Sequence, residues 1–313
     1  MKKKRRFILP VLLSIILIAS LLLNFYQGIE LMTGLITFQN ANSRDTYFTA
    51  HNIKTAHELS TGKGIRVGIM DWNFGYNSHP NLYSDGINFS EIKTGLDIEE
   101  HGFWMANTLR EIAPDCLIYA LCIFDRDEDK KVDNMIRAID WAIENNIDIL
   151  TYSGMAFSEK NRPAIDESVK KAIEFGVITT FIHYDNELNL LPDGFFDFSD
   201  YNRDADVNIL HYDYNVLFTS KYDKYMSFNG DYSKIKSGDD VPYLSMSSTS
   251  PVLAGFVAIL KEINPNLSPD DYKDILINTS YQKEYYDWGF GRKSIIPHVA
   301  DIGRAVVYIK ENY

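Results

Sequence analysis

Three well-separated segments of this chain carry residue types that can do chemistry. Asp71 follows the apolar run Ile65-Arg-Val-Gly-Ile-Met70, His101 opens the stretch His101-Gly-Phe-Trp-Met-Ala-Asn107, and Ser247 lies within Ser245-Met-Ser-Ser-Thr-Ser250. A serine hydroxyl is a poor nucleophile until a neighbouring base removes its proton, and an imidazole oriented by a carboxylate is the usual base. Taken singly, each residue has a plainer role. Asp71 is a turn or cap residue at a strand end, His101 sits at a helix N-terminus, and Ser247 to Ser250 cap the helix that follows. Other site chemistries are poorly served, since the seven histidines show no HExxH or other metal-ligand spacing and no zinc site is indicated.

The elements that would position these residues follow from hydrophobic spacing. Ile65–Met70 and Cys116–Phe124 are short apolar strands, and Ile147–Tyr152 and Gly176–Ile182 are two more. Between them, Lys131–Asn145 places Val132, Met135, Ile136, Ile139, Ala142 and Ile143 at helical spacing. Ala164–Phe175 does the same with Ile165, Val169, Ala172 and Ile173, and further helices are expected at Pro251–Ile263 and Pro269–Asn278. Residues 190 to 243 are rich in Asp, Tyr and Asn and read as loops with short strands. This alternation predicts a doubly wound α/β fold with a mostly parallel central sheet and helices on both faces. Ligands bind at the carboxyl ends of strands in such sheets, where Asp71 and, after another strand, Asn186 are placed.

Three motifs together resemble the subtilisin-like serine proteases, in that family's order of Asp, His and Ser. Thr61-Gly-Lys-Gly-Ile-Arg-Val-Gly-Ile-Met-Asp71, with Ser78-His-Pro-Asn-Leu82 after it, is similar to the TGKGV-x-VAVID strand and its downstream HPDL. His101-Gly-Phe-Trp-Met-Ala-Asn107 and Ile112-Ala-Pro-Asp-Cys-Leu-Ile-Tyr-Ala120 resemble HGTHVAG and the APxAxLYA strand. Ser245-Met-Ser-Ser-Thr-Ser-Pro-Val-Leu-Ala-Gly255 resembles GTSMAAPHVAG, which puts the nucleophile at Ser247. The resemblance runs from about Asn52 to Val307. It implies His101 as general base, Asp71 as the group that holds its tautomer, and Asn186 as the side-chain oxyanion donor. Tyr152-Ser153-Gly154 looks like the edge strand that pairs with the substrate backbone in that family. Structural calcium also comes with the resemblance, yet no site is identified: Asp125-Arg-Asp-Glu-Asp-Lys-Lys131 lacks the Gly and Glu of an EF-hand loop, with Lys130 and Ile136 in their places.

The motif flanks depart from the family. Trp72-Asn73 stands for Thr-Gly, Phe103-Trp104 for Thr-His, Ser245-Met246 for Gly-Thr, and Thr249-Ser250 for Ala-Ala. Lost glycines matter because only glycine takes positive φ without penalty. Phe181-Ile-His-Tyr-Asp185 replaces the small residues that line the family's primary pocket. Two functions are therefore expected to compete. One is a narrow-specificity serine endopeptidase acting on protein or peptide substrates. The other is an inactive pseudoprotease serving as a membrane-tethered peptide- or protein-binding module.

The remaining features bound the setting. The chain has 313 residues, 45% hydrophobic and 24% charged, and a net charge of −12, which is unsuited to nucleic acid. Cys116 and Cys122 lie along one strand, too far apart for a disulfide, and read as small core side chains. Residues 1–6 form a basic tail, and 7–27 an apolar stretch long enough to cross a bilayer as an uncleaved signal-anchor. The positive tail keeps to the cytoplasm and places the rest outside. Cleavage of this segment would instead give a secreted protein. Residues 28–51 form a linker too short for a separate folding-assisting domain, so residues 52–313 are expected to fold unaided or with a partner's help.

Overall fold

The computed structural model describes residues 48–154, 158–181, 198–199, 207–208, 246–287 and 292–313. Its centre is β1 (Arg66–Asp71), in which every residue after Arg66 is buried. Such a continuous apolar run suits a strand covered on both faces. β3 (Leu117–Cys122) and β4 (Ile149–Tyr152) flank β1, β2 (Asp85–Asn88) lies outside β3, and β5 (Ile178–Phe181) lies outside β4. All four pairings are parallel, with Asp71 opposite Cys122 and Met70 opposite Tyr152. The sheet runs β2-β3-β1-β4-β5, so the order reverses at β1. The carboxyl end of that strand, where Asp71 stands, is the place where such sheets open a crevice. The doubly wound parallel sheet expected from the sequence is present.

Side chains alternate along β1 and so separate two cores. Val67 and Ile69 join the cluster containing helices α2 (His101–Ile112) and α5 (Thr249–Ile263). Met70 joins α3 (Glu128–Glu144) and α4 (Arg162–Glu174) on the other face. Asp71 shares the parity of Val67 and Ile69, which directs its carboxylate toward the α2 layer. Two later helices, α6 (Pro269–Thr279) and α7 (Ile302–Asn312), complete the first layer. A second sheet contains β6 (Phe198–Ser199), β7 (Val207–Asn208), β8 (Tyr281–Asp287) and β9 (Arg292–Val299), in the order β6-β7-β9-β8. The β8–β9 pair is antiparallel.

The close packing of α2 on α5 depends on Gly255, where a Cβ would stand 2.5 Å from Ile112 Cγ2. Arg110 near the end of α2 donates to the carbonyls of Pro114 at 2.7 Å, Cys116 at 2.9 Å and Leu82 at 2.7 Å, tying the loop after α2 to the one before β2. The Thr61-Gly-Lys-Gly64 turn wraps the Glu262 carboxylate, which accepts from Ser60 Oγ at 2.6 Å, Thr61 N at 2.8 Å and Lys63 N at 2.9 Å. Burial alone would raise that carboxyl, but these donors outweigh it and hold its pKa below the ordinary glutamate value.

The start of the described chain is stitched to its end. His51 Nδ1 lies 2.7 Å from the Ala300 carbonyl, Ile302 N–H donates to His51 O at 3.0 Å, and Asn52 Nδ2 donates to Asp301 Oδ1 at 3.2 Å. The short helix α1 (Ile53–His57) follows directly, and Tyr281 Oη donates to Ala50 O at 2.8 Å. Both cysteines are free and buried on one face, as the spacing implied. Burial pushes the Cys116 thiol up to about 12. The expected membrane segment, 7–27, lies outside the described residues. Among the described residues no helix is long and apolar enough to cross a membrane.

Candidate active site

Asp71 is 2% exposed and faces His101, the first residue of α2. His101 Nδ1 lies 2.9 Å from Asp71 Oδ1 and 2.8 Å from Oδ2. A ring N–H there donates to a buried carboxylate, which fixes the tautomer and leaves Nε2 as the basic nitrogen. The Trp72 N–H also donates to Asp71 Oδ1, at 2.8 Å. The charge of Asp71 is felt nearby. Burial first, and then Asp71, raise the Cys122 thiol to about 11, so this thiol stays protonated and unreactive. The same two causes, joined by Glu99, push the Tyr83 phenol far above its usual value, and its hydroxyl donates to Phe74 O at 2.5 Å.

The join between β1 and α2 explains why the altered flanks are tolerated. Asn73, standing where a glycine was expected, takes φ +56°, and asparagine is among the few residues that enter this left-handed region at low cost. Its side-chain amide donates to the Glu100 carboxylate, and its carbonyl accepts from Glu100 N at 3.0 Å. Gly102 cannot be varied in the same way. A Cβ there would sit 2.7 Å from the Trp72 carbonyl, which accepts the Gly102 N–H at 2.8 Å. The indole of Trp72 stacks flat on the His101 ring, with centroids 4.4 Å apart and planes 9° from parallel. Phe124, just beyond β3, covers the indole at 5.6 Å. His79 of the His-Pro-Asn-Leu motif stacks on Phe103 at 4.4 Å and its Nε2 lies 2.9 Å from Glu99 Oε1.

Ser247 lies in the 3-10 turn Met246–Ser248 that leads into α5, and this turn packs against α2. The Ser153 hydroxyl donates to the Ser247 carbonyl at 2.7 Å. Three residues on, the Ser250 hydroxyl meets Thr151 Oγ1 at 2.5 Å and reaches the carbonyls of Thr180 and Tyr152, the latter at 3.2 Å. Thr180 Oγ1 in turn donates to Ser250 O at 3.3 Å. The helix start that carries Ser247 is thus bolted to the carboxyl ends of β4 and β5. The hydroxyl cluster of Thr151, Thr180 and Ser250 was not picked out from sequence. The β-branched threonines read there as ordinary strand residues, and the one clue was a hydroxyl at Ser250 where alanine was expected.

The structure therefore brings Asp71 and His101 into contact and packs the elements of His101 and Ser247 on one another. Tyr152, expected on an edge strand, belongs to an interior one, paired with Met70 on one side and Phe181 on the other. Its ring turns back over Gly154 and packs against Phe181 at 5.8 Å. Only Ser153 and Gly154 lie past the last strand pairs. Asn186 and the bulky residues 182–185 lie outside the described residues. Among the described residues no group of three or more His, Cys, Asp or Glu could hold a metal ion. The acidic run after Asp125 does not fit a cation, since its carboxylates serve protein donors. Asp127 caps α3 through Asp129 N at 2.9 Å, Glu128 accepts from Ser158 N at 2.8 Å, and Asp129 pairs with Lys160 at 2.6 Å.

No family model matches the chain. Among curated proteins, subtilisin of Bacillus pumilus is 28% identical over 127 residues, covering 36% of this chain and 46% of that protein. Subtilisin E of Bacillus subtilis (strain 168) is 28% identical over 127 residues, covering 36% of this chain and 33% of the relative. The chain thus spans between a third and a half of the length of these two relatives, at 33% and 46%. Solved structures match over far more of it. A lanthipeptide protease aligns with a TM-score of 0.55 at 14% identity, covering 84% of this chain and 94% of that one. MycP1 with its N-terminal propeptide removed gives 0.53 at 13% identity, covering 83% and 96%. Fervidolysin from Fervidobacterium pennivorans, a keratinolytic enzyme related to subtilisin, gives 0.52 at 16% identity over 80% of this chain and 44% of that one. At such identities the structural matches speak for the fold. With the sequence matches to the subtilisins beside them, the chain resembles the subtilisin-like serine proteases as a divergent relative.

Proposed function

We propose that the chain is a serine endopeptidase that hydrolyses peptide bonds with Asp71, His101 and Ser247. One observation carries this reading. The His101 ring is engaged through Nδ1 by both oxygens of a buried aspartate, at 2.8 and 2.9 Å, while its helix packs on the turn that bears Ser247. In the proposed reaction Ser247 Oγ attacks the scissile carbonyl carbon and its proton passes to His101 Nε2. Asp71 stabilises the imidazolium that forms. The tetrahedral oxyanion is met by N–H groups at the start of α5, with Asn186 as the side-chain donor. Collapse expels the amine, which takes the proton from Nε2. Water then attacks the acyl-enzyme with His101 again as base, returning the acid product and free Ser247. Ser153 and Gly154, which lie past the last strand pairs, are assigned to hold the substrate backbone beside this centre.

The site is proposed to work at the outer face of a membrane, with residues 7–27 as a single span and the basic tail 1–6 inside. Alkaline extraction of membranes leaves such a protein in the pellet, and recovery in the supernatant overturns the span. The test of activity is labelling of the full chain with a fluorophosphonate, which reacts only with an activated serine. Labelling is expected in the wild type and absent from Ser247→Ala. Absence in both leaves the inactive, peptide-binding reading in its place.

A further inference from the structure

We propose that Trp72 is a positioning residue for His101, an aromatic clamp that replaces the small residue expected after the catalytic aspartate. The proposal rests on the endopeptidase reading above for its chemistry, and on geometry for its evidence. One residue holds both members of the Asp–His pair. Its N–H donates to Asp71 Oδ1 at 2.8 Å, its carbonyl accepts the N–H of Gly102 at 2.8 Å, and its indole lies 4.4 Å from the His101 ring at 9°. The ring cannot swing away at no cost, because Phe124, two residues past the end of β3, packs on it at 5.6 Å.

Such an arrangement does two things. A flat ring pressed on the imidazole restricts rotation about its side-chain bonds, holding Nδ1 on Asp71 and Nε2 toward the nucleophile. The indole face also carries negative quadrupole density, so it attracts the imidazolium more than the neutral ring. That attraction grows as the proton leaves Ser247, and an interaction stronger in the transition state than in the ground state speeds the reaction. The backbone bonds of residue 72 are available to any side chain. The stack needs an aromatic.

The test compares Trp72→Leu and Trp72→Phe with wild type in the full chain, using the second-order rate of fluorophosphonate labelling across pH. Trp72→Leu should slow labelling about 3- to 30-fold and move the acid limb of the profile to lower pH, since an imidazolium without its aromatic partner loses its proton more readily. Trp72→Phe should stay within about threefold of wild type, because it keeps a ring face. Asp71, which faces the imidazole, and Glu99 and Glu100, which precede it in the chain, are unchanged in both variants. A rate and an acid limb in Trp72→Leu equal to wild type overturn the proposal, as does an equal loss in both variants. Failure of the wild type to label is a failure of the hydrolase reading instead. In that case the ring-current shift of the His101 carbon-bound protons decides: an upfield shift lost in Trp72→Leu and kept in Trp72→Phe upholds the clamp, and its absence from wild type removes it.

Discussion

Asn73 stands in the left-handed region at φ +56° and reaches Glu100, the residue before His101, with its side-chain amide. The link crosses from the end of β1 to the start of α2, the two elements that must agree for Asp71 to meet the imidazole. Asn73→Ala should lose both the tolerance for this backbone and the side-chain bond, costing about 2 kcal/mol in denaturant unfolding. Asn73→Gly keeps the backbone and should cost about half as much. Equal losses would show that backbone conformation contributes nothing here.

Replacing the buried aspartate by its amide tests the pair directly. Asp71→Asn keeps the shape but presents His101 with a group that can favour the wrong tautomer. Fluorophosphonate labelling should fall roughly 10³- to 10⁴-fold with the melting temperature little changed. A rate within a factor of about ten of wild type would remove Asp71 from the mechanism.

Ser250 offers a test in which the residue expected from the family should be the worse one. Ser250→Ala removes the hydroxyl shared by Thr151 and the Thr180 and Tyr152 carbonyls, all in a dry interior. The cost should be about 1–2 kcal/mol by chemical denaturation, with slower labelling of Ser247 because its helix start is less firmly held. An unchanged or raised stability would mean the cluster is merely tolerated.

Glu262 makes a pH-dependent contribution. Its carboxyl titrates lower when folded than when unfolded, so its stabilisation is fully present above the unfolded value of about 4.3 and fades as pH falls through the folded value. Glu262→Gln should therefore cost roughly 0.5–1 kcal/mol at neutral pH, solvent screening taken into account, with the gap from wild type closing in acid. A gap independent of pH would mean that the carboxylate charge is not what the Thr61–Gly64 turn recognises.

Much of this was legible in sequence because buried parallel strands and amphipathic helices leave strong periodic marks. Strands at Arg66–Asp71 and Leu117–Cys122 and helices at Glu128–Glu144 and Arg162–Glu174 fall within a few residues of their expected limits. What escaped has physical reasons. β2 is Asp-Gly-Ile-Asn, formed because β3 offers it a parallel edge rather than because its residues favour strand. The β8–β9 hairpin joins polar and aromatic residues with little alternating contrast. At the site, motif order points to Asp71, His101 and Ser247 as candidates, but Trp72 and Asn73 looked like damage. Their worth lies in a stack and a left-handed turn, and neither leaves a periodic signature. The edge-strand expectation for Tyr152 came from the family resemblance alone, while its pairing with Met70 and Phe181 puts that residue inside the sheet.

The stitching of residues 51–52 to 300–302 bears on mechanics. Tension applied on the N-terminal side of the domain would arrive first at the bonds joining His51 and Asn52 to Ala300, Asp301 and Ile302. They would share the load between the last helix and the backbone that runs on through α1 to β1.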